Sequence, residues 1–180
     1  HLCDRRQRQM CIRDRAYAAR GIDVDWVAKR YVEVINKILA NKPADLTVTM
    51  HICRGNFRST WFSSGGYEPV ADILFSHCNV DGFFLEYDSD RSGSFEPLRF
   101  IKNQTVVLGL ITSKFPELED KDAVKARIEE ATKYVPLNQL CLSPQCGFSS
   151  TEEGNIMTED EQWAKVRLVC EIADEVWGDQ

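Results

Sequence analysis

The feature that most constrains the fold is an alternation of short apolar segments with amphipathic ones, repeated four times along the chain. The run from Thr105 to Ile111 is almost wholly apolar and rich in β-branched residues. Such a run is typical of a parallel strand that is buried on both faces. Strands that alternate with helices imply a parallel sheet covered by helices, so the fold class is predicted to be α/β.

The predicted elements follow an initial helix with four strand–helix units. Strands are predicted at 46–52, 82–86, 105–111 and 137–142, and helices at 23–40, 67–77, 94–102 and 120–135, with a last helix that starts at the capping box Thr158–Glu161. Four such units are half of an eight-fold barrel, which typically needs about 250 residues. A complete small doubly wound sheet is the alternative, and periodicity alone does not separate the two.

Composition and charge exclude several classes of protein. The chain has 180 residues, 43% of them hydrophobic and 28% charged, which suits one globular domain. The net charge of −6 argues against nucleic acid as a partner, and no apolar stretch is long enough to cross a membrane. Without a visible secretory signal, a cytoplasmic location with reduced thiols is expected.

The amino-terminal segment differs from the rest of the chain. Residues 1–20 contain six arginines against two aspartates and show little apolar periodicity. We interpret residues 1–22, which include Cys3 and Cys11, as an extraneous or solvated segment. Residues 23–180 are predicted to form the folded part of the chain, and because the chain begins at His1 it is interpreted as a fragment or a processed piece.

Potential metal ligands follow three of the predicted strands. His51 and Cys53 lie at the end of the first strand, Glu86 ends the second, and Cys146 follows the fourth. Polar residues at the carboxyl ends of parallel strands form the active sites of α/β proteins. Imidazole, thiolate and carboxylate groups together suit zinc. His51 and Cys53 are two residues apart on an extended segment, so both can point toward one ion.

Structural roles are the alternative for each of these residues. His51 could be hydrogen-bonded to the backbone, and Cys53 and Cys146 could be buried thiols. A carboxylate such as Glu86 at the end of an apolar strand needs a cation, either a metal ion or a neighbouring basic side chain. Packing roles are expected for three other cysteines and three tryptophans: Cys78, Cys141, Cys170, Trp26, Trp163 and Trp177.

The spacing of these residues resembles a known family. His51-x-Cys53, Glu86 and the run Pro144-Gln145-Cys146-Gly147 resemble the carboxy-terminal catalytic barrel of cobalamin-independent methionine synthase, especially its short single-barrel relatives. The similarity extends from about Asp23 to Trp177. It implies the carboxy-terminal half of a TIM barrel, with Zn²⁺ held by His51, Cys53, Glu86 and Cys146.

The resemblance also implies an activity in methionine biosynthesis. A zinc-dependent methyltransferase of this family carries a methyl group from a methyl-folate donor to the thiol of homocysteine. Four residues at strand ends could bind substrate: Arg54, Asn56, Lys114 and Ser143. Each could equally have a structural role, and that of Ser143 would be to support the zinc ligands. The earlier barrel strands of the family are missing before Asp23, so this chain alone is expected to be inactive.

Two other functions compete with this one. The chain could be a metal-binding half-domain without activity of its own. It could also be a metal-free barrel that resembles uroporphyrinogen decarboxylase, although the His51-x-Cys53 pair argues against that chemistry.

Overall fold

A four-stranded, all-parallel sheet is the centre of the molecule. The computed structural model describes residues 17, 19–61, 64–149 and 151–178. The strands are β1 (Thr49–Ile52), β2 (Gly82–Glu86), β3 (Thr105–Ile111) and β4 (Leu140–Pro144), and they lie side by side in chain order. A doubly wound sheet reverses its strand order at a switch point, whereas an arc of consecutive parallel strands is the arrangement of a barrel.

Four α-helices that lie wholly within the described residues accompany the sheet. They are α1 (Val24–Leu39), α2 (Glu68–His77), α3 (Lys121–Ala131) and α4 (Glu159–Trp177). Asp23 and Asp120 cap α1 and α3 by accepting a backbone N–H of the first turn. The capping box predicted at Thr158 and Glu161 is confirmed at the start of α4.

β3 is the most deeply buried strand, as predicted. Every residue from Val106 to Ile111 is buried, and β2 and β4 pair with its two edges. The apolar core continues from β3 into α2 and α3, through Phe75, Ala71 and Ile128. β2 and β3 have the predicted bounds because their apolar runs end abruptly in polar residues.

Two predicted strands have different bounds in the structure. The first begins at Thr49 instead of residue 46, because the Asp81 carboxylate accepts the Val48 N–H at 2.7 Å and holds that residue outside the ladder. The fourth begins at Leu140 instead of residue 137, because residues 137–139 form a 3₁₀ turn after Pro136.

Two predicted helices are shorter than expected. Residues 94–102 contain only a 3₁₀ turn at Glu96–Phe100, which starts with a proline near its first position. The helix predicted over 120–135 ends at Ala131, where Thr132 closes it with tight 3₁₀-type bonds. The second unit therefore reaches β3 without an α-helix.

Several predicted packing residues are exposed. Cys78 is buried as expected, but Cys141 and Cys170 are exposed, and so are Trp26 and Trp163. On α4 the buried residues are Lys165, Leu168 and Ile172, so the helix presents a different face to the sheet than its apolar pattern predicts. Lys165 turns inward because its ammonium group binds the Glu119 carboxylate at 3.1 Å and the Glu117 carbonyl at 2.7 Å. Cys3 and Cys11 lie outside the described residues, as do residues 1–16.

Both outer strands have an open edge. Within the described residues, β1 pairs only with β2 and β4 pairs only with β3. An apolar groove of about 470 Å³ runs along the β1 edge, between α1 and α2. α1 also exposes four large apolar side chains, two of which, Tyr31 and Val34, line this groove: Trp26, Tyr31, Val34 and Ile38. None of the described helices is both long and apolar enough to cross a membrane.

Candidate metal centre

Four potential metal ligands meet at the carboxyl end of the sheet. His51 is in β1, Cys53 follows that strand, Glu86 ends β2, and Cys146 lies two residues beyond β4. One ligand atom of each side chain lies within 4.8 Å of those of the other three. Residues that are up to 95 positions apart meet because all four strands are parallel and end at the same side of the sheet.

Among the four ligand atoms, two pairs lie close together. The Sγ atoms of Cys53 and Cys146 are 3.8 Å apart, and Nε2 of His51 is 3.6 Å from Oε1 of Glu86. Cys53 and His51 are exposed, Cys146 is half-buried and Glu86 is fully buried. The arrangement therefore has a buried anionic side and an open side that faces solvent.

Glu86 has an incompletely partnered carboxylate. Its Oε1 accepts the backbone N–H of Arg54 at 3.2 Å. Its Oε2 is buried and has no hydrogen-bond partner among the described residues, and the nearest guanidinium nitrogen of Arg54 is 4.0 Å away. A buried carboxylate oxygen without a partner is costly, so the position favours a bound cation.

Tyr67 holds the end of β2 and was not among the predicted site residues. Its hydroxyl accepts the Glu86 N–H at 2.7 Å and an Arg54 Nη1–H at 3.0 Å, and it lies 3.3 Å from the Glu86 carbonyl. Burial raises the pKa of Tyr67 to about 12, so the phenol stays protonated. Its position at the start of α2 gave no signal in the apolar periodicity.

Arg54 is buried and engaged with the protein. Its Nε and Nη2 donate to the Gly65 carbonyl at 3.0 and 2.8 Å, and its Nη1 donates to the Glu86 carbonyl at 2.7 Å. The guanidinium also stacks 4.3 Å above the Tyr67 ring. These contacts tie the loop after β1 to the end of β2.

Lys114 and Asn56 connect the three loops around the centre. The buried Lys114 ammonium donates to the Gly55 carbonyl at 3.3 Å and to Asn56 Oδ1, and Asn56 Nδ2 donates to the Gly147 carbonyl. Burial lowers the pKa of Lys114, while Cys146, Glu86 and Cys53 oppose that change when they are ionised. The positive charge of Lys114 is thus placed beside the anionic side of the centre.

The thiol of Cys53 is not activated by its protein surroundings alone. Burial raises its pKa, and the neighbouring Cys146 and Glu86 raise it further. The Gly55 N–H, which donates to the sulfur at 3.2 Å, and His51 act in the opposite direction. An additional cation is therefore needed to hold Cys53 as a thiolate at neutral pH.

Gln145 and Ser143 determine the path of the chain before Cys146. The Gln145 amide oxygen accepts the Thr112 hydroxyl at 2.8 Å, and its backbone N–H donates to the Ile111 carbonyl at 2.8 Å. The Ser143 hydroxyl donates to the Pro144 carbonyl at 2.8 Å. The bonds of Gln145 attach the Cys146 turn to the end of β3, and the sequence analysis, which named Gln145 only within a motif, gave it no role of its own.

The apolar groove at the open edge reaches the candidate centre. His51 and Cys53 line it together with residues of α1, β1 and α2. One side of the centre therefore opens onto this groove.

Comparison with known proteins identifies related sequences. A family model described as the catalytic domain of cobalamin-independent synthase matches residues 21–174. Two Bacillus subtilis (strain 168) proteins, the uncharacterized YxjH and YxjG, are 58% and 60% identical to this chain. The matches cover 88% and 87% of this chain, but 43% and 42% of those proteins. The chain thus spans less than half the length of the curated relatives it matches.

Two solved structures are also similar to this chain. A Listeria monocytogenes protein, described as a candidate vitamin-B12 independent methionine synthase, is 44% identical, with a TM-score of 0.66 over 87% of this chain and 43% of its own. A B12-independent methionine synthase from Shewanella sp. W3-18-1, solved in complex with selenomethionine, is 19% identical, with a TM-score of 0.63 over 84% of this chain and 46% of its own. At that identity the second likeness shows the fold alone. The α/β class and the partial TIM barrel expected from the sequence are confirmed.

Proposed function

Because this chain belongs to the cobalamin-independent synthase catalytic-domain family, we propose that it carries the zinc site of a methyltransferase that methylates the thiol of homocysteine. His51, Cys53, Glu86 and Cys146 would hold the zinc ion, and a methyl-folate would donate the methyl group. The observation that supports this most strongly is the convergence of two thiols, an imidazole and a buried carboxylate within 4.8 Å.

The donor set and its spacing fit zinc. Two thiolates bound to one tetrahedral zinc, each at about 2.3 Å, stand about 3.8 Å apart. The Sγ atoms of Cys53 and Cys146 have that separation. A bound metal ion would compensate the negative charge of Glu86, whose buried Oε2 has no hydrogen-bond partner among the described residues. Magnesium and calcium prefer sets made only of oxygen ligands, so two thiols disfavour both.

A bound zinc ion would lower the pKa of a coordinated substrate thiol and hold it as a thiolate nucleophile near neutral pH. A free thiol has a pKa of about 8.5 and is only a few per cent ionised at that pH. The two thiolates and the carboxylate of this chain would surround the ion with negative charge. That charge keeps a bound substrate sulfur electron-rich and reactive toward a methyl donor.

The surrounding residues orient the ligands. Arg54 and Tyr67 hold the Glu86 backbone and restrict its carboxylate, and Lys114 and Asn56 hold the loops that carry Cys53 and Cys146. Such contacts position metal ligands and tune their basicity. Because Arg54 and Lys114 are buried, we assign them a positioning role. Asn56 and Ser143 are also bonded within the protein, but both are half-buried, and they remain the groups proposed to face the substrate.

Complete activity is proposed to need the part of the relatives that this chain does not span. The sheet has two open edges, and the groove beside His51 and Cys53 is open along β1. A substrate pocket in a barrel is built from loops of all its strands. For the chain on its own, the open edges favour the alternative function, a metal-binding half-domain without turnover.

A chimaera tests the proposed reaction. Residues 23–178 of this chain would replace the matching segment of YxjH, and methionine formation from homocysteine and a methyl-folate would be measured. The proposal predicts turnover that depends on zinc and is abolished by Cys146→Ser, while the matched control Cys170→Ser on the exposed face of α4 keeps it. A folded, zinc-loaded chimaera that methylates no homocysteine would contradict the proposed reaction.

A further inference from the structure

The two candidate thiol ligands also form the closest cysteine pair in the described part of the chain. Their Sγ atoms are 3.8 Å apart although the residues are separated by 93 positions. Cys53 is exposed and Cys146 is half-buried, so both can be reached by a small oxidant. Of the other described cysteines, Cys78 is buried, and Cys141 and Cys170 are exposed but have no cysteine partner.

We propose that Cys53 and Cys146 form a reversible disulfide when no metal is bound, with a peroxide as the oxidant, so that the metal centre is also an oxidation site. This regulatory role of the centre rests on the proposed function in one respect, the release of zinc. The pair itself rests only on the distance and exposure of the two sulfurs.

The chemistry balances in two steps. The thiolate of the exposed Cys53 attacks hydrogen peroxide, its sulfur is oxidised to a sulfenic acid, and hydroxide leaves. The Cys146 thiol then displaces water from that sulfenic acid and forms the S–S bond. In total, two thiols lose two electrons and two protons, and one peroxide is reduced to two water molecules.

The distance between the two sulfurs supports this reaction. An S–S bond of about 2.05 Å requires the sulfurs to approach by less than 2 Å, roughly the reach of side-chain rotation and small loop shifts.

The disulfide and the metal exclude each other. An S–S bond occupies both sulfurs, so a metal would keep only His51 and Glu86 as ligands. A bound metal, in turn, covers the sulfurs and slows their oxidation. The cross-link also closes a segment of 93 positions and thereby restricts the unfolded chain, so the oxidised metal-free protein should be more heat-stable than the reduced one.

The experiment treats the 180-residue chain with hydrogen peroxide, once metal-free and once loaded with zinc. Peptide mapping by mass spectrometry identifies cross-links, and a chromogenic chelator follows zinc release. We expect a Cys53–Cys146 cross-link with a mass loss of about 2 Da that dithiothreitol reverses. Oxidation of the zinc-loaded chain should be slower, and zinc release should follow the time course of the cross-link.

Matched variants define the contradictory results. Cys170→Ser should cross-link as the wild type does, and Cys53→Ser should form no internal cross-link while it keeps a cooperative thermal transition. Sulfinic or sulfonic acids at both residues without a cross-link would overturn the proposal. A cross-link in a chain that binds no zinc would support the disulfide and contradict the proposed metal site, so the two failures are distinguishable.

Discussion

Glu86 is the residue on which the candidate centre depends most, because its fully buried carboxylate has one oxygen without a hydrogen-bond partner among the described residues. Replacing it by glutamine keeps the shape and removes the charge. We expect Glu86→Gln to weaken zinc binding at least about tenfold, as measured by competition with a chelator. The melting temperature of the metal-free protein should stay unchanged or rise, because a buried charge has been removed.

The opposite pattern would contradict this account of Glu86. If Glu86→Gln bound zinc as the wild type does but melted at a lower temperature, the carboxylate would serve only the fold, through the Arg54 backbone N–H.

Tyr67 is predicted to support the centre without touching the metal. Tyr67→Phe removes the acceptor of the Glu86 N–H and of an Arg54 Nη1–H, both buried. We expect a loss of about 1–3 kcal/mol in the free energy of unfolding, measured with denaturant, and a roughly 10- to 100-fold loss of zinc affinity. The control Tyr134→Phe changes an exposed phenol and should alter neither. Full zinc affinity in Tyr67→Phe would remove this residue from the site.

The four candidate ligands could be predicted from the sequence because each lies close to the end of a recognisable apolar strand. Tyr67 and Gln145 could not, since their roles depend on where a loop returns to the sheet. Lys165 was missed because a lysine between apolar residues is expected to face solvent, whereas here the Glu119 carboxylate draws it inward.

At the scale of elements, the close approach of the turn after β4 to β3 positions Cys146. A Cβ atom on Gly109 would lie 2.7 Å from the Cα of Gln145 and 2.9 Å from the Leu85 carbonyl oxygen. Only glycine allows the turn after β4 to pack so close to β3. The register between these strands also shifts between Gly109 and Ile111, so the turn that carries Cys146 is pressed against the sheet.

Gly109→Ala should therefore disturb both the fold and the centre. We expect about 1–3 kcal/mol lower free energy of unfolding and a reduced zinc content after purification, measured by denaturation and by metal analysis. The control Gly154→Ala, at an open position with positive φ, can cost stability but should leave the zinc content unchanged. Equal zinc content in the two variants would show that Gly109 does not position Cys146.

Helices and strands with strong local signals could be predicted, but ends that depend on distant residues could not. The capping box of α4 is encoded by two neighbouring side chains, and the buried run of β3 by its composition alone. The start of β1 depends on Asp81, which lies 33 residues beyond Val48, so no local pattern reveals it. The helix α1 was predicted, but the sequence did not reveal that Tyr31 and Val34 are exposed and line the groove at the open edge of the sheet.

At the scale of the whole molecule, the open edge of β1 has a measurable consequence. β2 and β3 are paired on both sides, whereas β1 is paired on one side only in the described residues. We expect hydrogen–deuterium exchange in the isolated chain to be faster in β1 than in β3. In the chimaera with YxjH, a neighbouring strand should slow the exchange of β1. Equally strong protection of β1 in both proteins would show that this edge is already covered in the isolated chain.

The composition of the metal shell tests the central claim most directly. X-ray absorption spectroscopy at the zinc edge would be measured on the zinc-loaded chain. We predict two sulfur ligands at about 2.3 Å and two nitrogen or oxygen ligands at about 2.0–2.2 Å, with one sulfur lost in Cys146→Ser. A shell of nitrogen and oxygen alone, or one that is unchanged in Cys146→Ser, would contradict the assignment of His51, Cys53, Glu86 and Cys146 as one zinc site.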